Sequence, residues 1–196
     1  PDLNIALILL VLPDAVWGLS WTARDHVISA SADGHLRVYD PTQLSKPLHD
    51  MAPHPLAISS LSTNADGSRA LSVSLDGTVA LTDPTEGTIL GRVETSREKA
   101  ASGETGKADE QESLISGLPA FAGALHPNLD CWAWSGRSSK VAIRSFDKPS
   151  TEAESAGDDQ GIAGKGGLGG SGKVIDTGKG KFGMDLQFVS ARRGMD

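Results

Sequence analysis

The stretch Val16 to Pro41, VWGLSWTARDHVISASADGHLRVYDP, returns as Ile58 to Pro84, ISSLSTNADGSRALSVSLDGTVALTDP. No other property of the chain narrows its fold as much, because a repeat of this length is one supersecondary unit that stacks on its neighbours. Val16 matches Ile58 and Leu19 matches Leu61, an offset of 42 residues. After one inserted residue, Ser31, Asp33, Gly34, Val38, Asp40 and Pro41 match Ser74, Asp76, Gly77, Leu81, Asp83 and Pro84, an offset of 43.

Each unit reads as short alternating strands divided by turn chemistry. In the first, Val16-x-x-Leu19-x-Trp21, Val27-Ile28-x-Ala30 and Leu36-x-Val38-x-Asp40 are strands, with Asp33-Gly34 as the hairpin turn between the last two. The pair suits that turn because glycine accepts a positive φ and aspartate bonds its own backbone. The second unit repeats the scheme, with Asp66-Gly67 before Ala70 to Val73 and Asp76-Gly77 before Val79-x-Leu81. A more worn third unit runs from Leu118 to Asp147, with strands at Phe121 to Leu125, Cys131 to Trp134 and Val141 to Ile143 and Ser138-Ser139 in place of Asp-Gly. A fourth starts at Phe182 to Phe188. A period in the low forties with this punctuation is that of a four-stranded propeller blade.

Two inserts separate the units. Residues 94–112 carry six acids and three bases without hydrophobic periodicity and read as a solvated loop. Residues 148–179 open acidic and turn Gly-rich, with seven glycines between Gly161 and Gly172, which is the composition of a flexible linker. Without the inserts the 196 residues hold about three and a third blades, below the four to eight that close a ring. The predicted organisation is therefore an atypical hydrophobic segment over 1–13, blade repeats over 14–41, 54–84 and 118–147, the two inserts, and the start of a further blade over 180–196. Such a chain reads as a partial or mis-joined piece of a larger propeller, all-β and open.

Ser-x-Asp-Gly-x-Φ-x-Φ, at Ser31 to Val38 and Ser74 to Leu81, resembles the signature of WD-repeat β-propellers, and VWGLSWTARDHVISASADGHLRVYD is most similar to the WD-repeat subunit type of superkiller complexes. The resemblance implies a non-catalytic scaffold for protein-protein interaction. Its implied partners are a helical-repeat subunit and a helicase, in a complex that assists cytoplasmic 3'-5' mRNA decay by the exosome. It further implies a link to meiotic recombination, with the nucleus as a second compartment; a generic WD-repeat adaptor of another complex, including a transcription-elongation complex, is the alternative. Asp33, Gly34, Asp40, Asp76, Gly77 and Asp83 are its structural turn and repeat residues. The name-giving Trp-Asp pair is replaced by Tyr39-Asp40, Thr82-Asp83 and Phe146-Asp147, and the blade-opening Gly-His pair is missing. The His-Ser-Asp-Trp bond network of such blades is thus expected to be incomplete, with Asp33 and Asp76 keeping only turn and serine partners.

Composition removes several functions. Net charge is -7, from 18 basic and 25 acidic residues, which speaks against a nucleic-acid clamp, so no direct nucleic-acid partner is expected. Cys131 is the single cysteine, so neither an internal disulfide nor a cysteine zinc site can form within one chain, and a reducing compartment fits. The apolar run Leu3 to Leu12 is half of what spans a bilayer, and no membrane partner is expected. Gly167 to Gly172 spells a dinucleotide fingerprint and Gly167 to Lys173 most of a phosphate loop, the one opening for a nucleotide-binding enzyme. Both chemistries need a preceding strand and a following helix that aims backbone N–H groups at phosphate, and the sequence supplies neither. The five histidines have no metal-ligand spacing, and the strand serines Ser29, Ser31, Ser72 and Ser74 have no nucleophile-elbow context. No cofactor, metal or catalytic residue is expected.

What remains is an aromatic row. Aligning the innermost strands places Trp17, Ser59, Phe121 and Met184 at one repeat position, with Ala15, Ala57, Pro119 and Phe182 two residues earlier on the same side. These side chains either pack between blades or open onto a binding face. Trp17, Phe121, Phe182 and Met184 are the candidate partner-binding residues.

Overall fold

The computed structural model describes residues 14–43, 45–94, 120–128, 130–136, 140–146, 168, 172–176 and 185–188. Every regular element among them is a strand. The first sheet joins β1 (Val16–Trp21), β2 (Val27–Ser31), β3 (Leu36–Tyr39) and β4 (His49–Met51). The second joins β5 (Ile58–Thr63), β6 (Ala70–Ser74), β7 (Thr78–Asp83) and β8 (Thr88–Glu94), and the third β9 (Ala120–Leu125), β10 (Cys131–Gly136), β11 (Lys140–Ser145) and β12 (Gly172–Asp176). All three are antiparallel meanders in chain order, each a four-stranded propeller blade.

Tight turns make the meanders. Gly34 and Gly77 hold φ of 83° and 82°, and the carboxylates of Asp33 and Asp76 accept the amides two residues on, at His35 and Thr78. A side chain at Gly34 would overlap the carbonyl oxygen of His54, so this turn also fixes the chain entering the second blade.

Strand alternation then sorts each blade into two faces. Ile28, Ala30, Leu36, Val38 and Met51 of the first blade bury against Ile58 and Ala70 of the second. Leu71, Val73, Val79 and Leu81 on the other face of the second blade bury against Leu125, Trp132 and Trp134 of the third. Complete burial of one such Leu or Val contributes roughly 1.5–3 kcal/mol. The inner strands meet through small residues: Ser20 Oγ lies 2.8 Å from Thr63 Oγ1, while Ser60 and Ser62 accept from the amides of Gly123 and Leu125 at 3.2 and 3.0 Å. The described blades therefore form an open arc of three.

The period predicts four-stranded blades, and β4, β8 and β12 are the fourth strands, whose residues the repeat alignment did not place. The structure corrects two other readings. The segment read as a linker over 148–179 supplies β12, which pairs with β11 from Lys140↔Asp176 to Arg144↔Gly172, and places Leu168 in the core at 2% exposure. Composition registers the glycines of that segment but not the free edge of β11 that captures its end. Residues 185–188, expected within the inner strand of a fourth blade, carry no strand, although the Phe188 ring lies edge-on to His126 with centroids 4.9 Å apart.

Candidate functional site

Trp17, Ser59 and Phe121 share a structural singularity. In each inner strand the register slips at that residue: Val16 faces Ser31 but Gly18 faces Ala30, Ile58 faces Ser74 but Ser60 faces Val73, and Ala120 and Ala122 face Gly136 and Ser135. One extra residue is a β-bulge, which bends the strand and re-aims the side chain. The aligned row is thus a bulge repeated in all three blades.

The side chains at these bulges have different surroundings. Trp17 is 53% exposed, Phe121 is half-buried, and Ser59 donates to the carbonyl of Val73 at 3.1 Å. Phe182 and Met184 lie outside the described residues. Trp17 is joined by Leu19 at 49% and Trp21 at 51%, alternating along β1 with better-covered neighbours. Leu61 and Thr63, at the positions of Leu19 and Trp21, face the first blade, as the Gly18–Leu61 approach and the Ser20–Thr63 bond show. The open row of β1 is therefore the side that the second blade turns toward its predecessor. Leu19 and Trp21 were missing from the sequence-level site, although the period of two starting at Trp17 could have found them.

Behind this row, two polar clusters stiffen the blades. In the second, Thr78 Oγ1 donates to Asp76 Oδ1 at 2.5 Å, so its single proton is spent and its oxygen accepts from His54 Nδ1 at 2.6 Å. His54 Nε2 then accepts from Ser72 Oγ at 2.8 Å. The relay Ser72–His54–Thr78–Asp76 fixes one neutral tautomer, and Arg92 braces its far end at 3.3 Å from Asp76. Burial pushes the His54 imidazole down to about 4, more than the Asp76 charge restores. The expectation that no histidine completes the network is corrected: His54 arrives without the glycine, from the β4–β5 connection, and Thr82 fills the tryptophan position.

The first blade uses a different cation. Arg37, buried on β3, donates to Asp33 Oδ2 at 2.7 Å, Ser31 Oγ at 3.0 Å and Asp50 Oδ2 at 3.2 Å. Partial burial would raise the Asp33 carboxyl, but Arg37, Ser31 and the His35 amide outweigh it and hold it at about 2. Burial disfavours charge on Arg37 too, and the two carboxylates reverse that to raise it. Neither Asp33 nor Asp76 is limited to turn and serine partners, because Arg37, four residues on, reaches Asp33 and Arg92, on β8, reaches Asp76. Asp40 and Asp83 cap their turns by accepting from Thr42 and Thr85.

Ser29 stands at the position of Ser72 but has no histidine. Its hydroxyl is fully buried and makes no hydrogen bond of good geometry among the described residues; its polar neighbour is the Tyr39 phenol, whose pKa burial pushes up. Ser29→Ala is expected to leave the melting temperature unchanged or raise it, whereas Ser72→Ala lowers stability by about 1–2 kcal/mol by orphaning His54 Nε2. Parallel thermal melts check the contrast.

A cavity of about 370 Å³ opens between the second and third blades, floored by Phe146, with Arg69 over its ring at 5.2 Å and paired to Asp130 at 3.2 Å. Of the glycine pattern near residue 170 only the described residues can be placed: Leu168 is core, and Gly172 opens a strand where a phosphate loop leads into a helix. The described residues contain no group of three metal-ligating side chains and no helix long and apolar enough to cross a membrane.

Four-stranded antiparallel meanders packed face against face in chain order are the architecture of a β-propeller. Residues 9–40 and 45–83, about a third of the chain, match the family model "WD domain, G-beta repeat". Among solved structures it is similar to the C-terminal WD40 domain of Sif2, at 21% identity and a TM-score of 0.51 over 67% of this chain and 32% of that one. It is also similar to the Cps50 (Swd1) propeller of Myceliophteria thermophila, at 18% and 0.55 over 71% and 38%, and to a chain of the Mitotic Checkpoint Complex, at 11% and 0.59 over 88% and 42%. At these identities the likeness is one of fold. The chain spans about a third to two fifths of the length of these relatives. No curated protein sequence matches it.

Proposed function

We propose that the protein is a non-catalytic WD-repeat scaffold that presents its inner-strand aromatics to protein partners. The observation that carries this reading is Trp17, Leu19 and Trp21, large apolar side chains left half open on a framework whose polar groups are spent on internal bonds. Exposed aromatics on a rigid strand are what interface anchors are made of.

The resemblance of Val16 to Asp40 supports a superkiller-type complex as the assembly, with a helical-repeat subunit and a helicase as partners and cytoplasmic 3'-5' mRNA decay as the process. A role in meiotic recombination, and presence in the nucleus, belong to the same proposal. WD40 repeats commonly serve protein assembly, and one structural relative is itself a chain of a complex. Pull-downs of the helical-repeat subunit with the wild type and Trp17→Ala/Phe121→Ala test the reading. Loss of about 2 kcal/mol at an anchor, ~30-fold in affinity, is expected. Undiminished recovery of the helical-repeat subunit by a folded double variant would remove these residues from the interface.

A further inference from the structure

The cavity between the second and third blades is walled by the turns that join β5 to β6 and β9 to β10. The two turns are pinned to each other by the Ala65 amide, which donates to the Pro127 carbonyl at 3.1 Å. The first turn satisfies its polar groups internally: Asn64 accepts from the Arg69 amide at 2.9 Å and donates to Ser68 Oγ at 3.0 Å, while Asp66 accepts from the Ser68 amide at 2.9 Å. Arg69 is different. A guanidinium has five N–H donors, and among the described residues a single one of them has an acceptor, Asp130 Oδ1 at 3.2 Å. We propose that this cavity binds a carboxylate of a partner peptide, which takes the place of Asp130 on Arg69 while the adjoining peptide lies on Phe146 and Pro127.

Geometry and charge select that ligand. Phe146, itself buried, carries the Arg69 head group 5.2 Å from its ring centroid, which holds the cation at the cavity instead of leaving it to sweep through solvent. Arg69 is the one lysine or arginine of the lining, so the charged group it can recruit is an anion. Asp130 is 83% exposed, and an ion pair that open to water is held weakly. It also makes one contact where a well-aimed carboxylate makes two parallel ones, so an incoming carboxylate displaces it. Asp66 and Asp130 remain at the rim, and their charge disfavours a dianionic phosphate more than a monoanionic carboxylate. At about 370 Å³ the cavity is at the small end of ligand pockets and suits one acidic residue with its neighbour. It shares no residue with the inner-strand row, so it adds a second surface to the scaffold reading and fails or holds separately from the first.

Proton–nitrogen NMR titration of the full chain tests the site. Acetyl-Leu-Glu-Leu-amide probes a side-chain carboxylate, acetyl-Leu-Gln-Leu with a free terminal acid probes a C-terminal one, and acetyl-Leu-Gln-Leu-amide is the neutral control. The expected result is a saturable shift of the Ala65 amide and the Arg69 Nε–H with an acid probe and none with the control; the tighter acid probe identifies the source of the carboxylate. Followed at the Ala65 amide, Arg69→Gln is expected to weaken that probe more than about 10-fold by removing a charge-assisted pair. Asp130→Asn is expected to tighten it about threefold by removing the competitor. Both substitutions break the same ion pair, so a merely structural role moves affinity in one direction, whereas a ligand site moves it in opposite ones. No saturable shift with either acid probe, equal binding of the control, or a loss in Asp130→Asn like that in Arg69→Gln overturns the proposal. Inorganic phosphate that shifts the same groups when neither acid probe does overturns it as well.

Discussion

Acidification from pH 6.5 to 4 removes about 3 kcal/mol of stability through His54 alone. The imidazole is neutral and buried in the fold, with its pKa at about 4 against 6.5 when exposed. The unfolded chain therefore takes up the proton first. Stability from this residue is complete above pH 6.5 and is lost as the pH falls toward 4, the gap corresponding to about 1.4 kcal/mol per pH unit. The geometry supplies the reason: a proton on Nε2 turns the acceptor of Ser72 into a donor and puts a charge where only 3% of the residue is exposed. His54→Gln keeps polar contact but cannot titrate, so its urea midpoint is expected to be lower at pH 7 and flat between pH 6.5 and 4. A wild type as flat as the variant would show that the relay carries no such linkage. Asp33 acts in a separate window, adding stability above the ordinary carboxylate range that is lost as the pH falls toward 2.

Arg37→Ala is expected to cost about 3 kcal/mol, the lower end for stranding one side of a buried pair. The substitution leaves Asp33, Asp50 and Ser31 facing each other without their shared donor. Water reaches Asp50, which is 42% exposed, and that screening keeps the cost from being larger. Arg37→Met/Asp33→Asn should cost less than the sum of the two single changes, since the second removes the charge that the first leaves unpaired. Equal and additive losses in chemical denaturation would mean that the three groups do not act as one cluster. Arg37→Ala should also weaken the acid-side dependence that Asp33 gives the wild type, leaving the part that Ser31 and the His35 amide supply.

These two clusters mark where reading the residues stopped short. The repeat, the Asp-Gly turns, the three sheets and the alternation of faces were legible because each depends on local chemistry and a short period. His54 and Arg37 were not. A histidine in Ala52-Pro53-His54 has no local mark that separates it from a surface residue, and its burial comes from blade-to-blade packing of the connection it sits on. An arginine in the run Leu36-Arg37-Val38 alternates as an outward residue should. It is buried because its side of β3 is covered, which no window along the chain reveals. β12 was hidden for a related reason: it pairs with the edge of β11, which lies far from it along the chain.

The aromatic row shows the same division within one site. Alignment alone put Trp17, Ser59 and Phe121 at one position, and that position is the bulge of every inner strand described. Whether such a side chain packs or stays open is not a property of the position. Ser59 bonds Val73, Phe121 is half-covered, and Trp17 stands open beside Leu19 and Trp21. Sequence by itself determined the blade, its period, its turns and the two-residue alternation, because these follow from backbone sterics and side-chain spacing. Tertiary structure alone decided which alternating face is covered and which charged groups meet, because burial and pairing depend on neighbours that are distant along the chain.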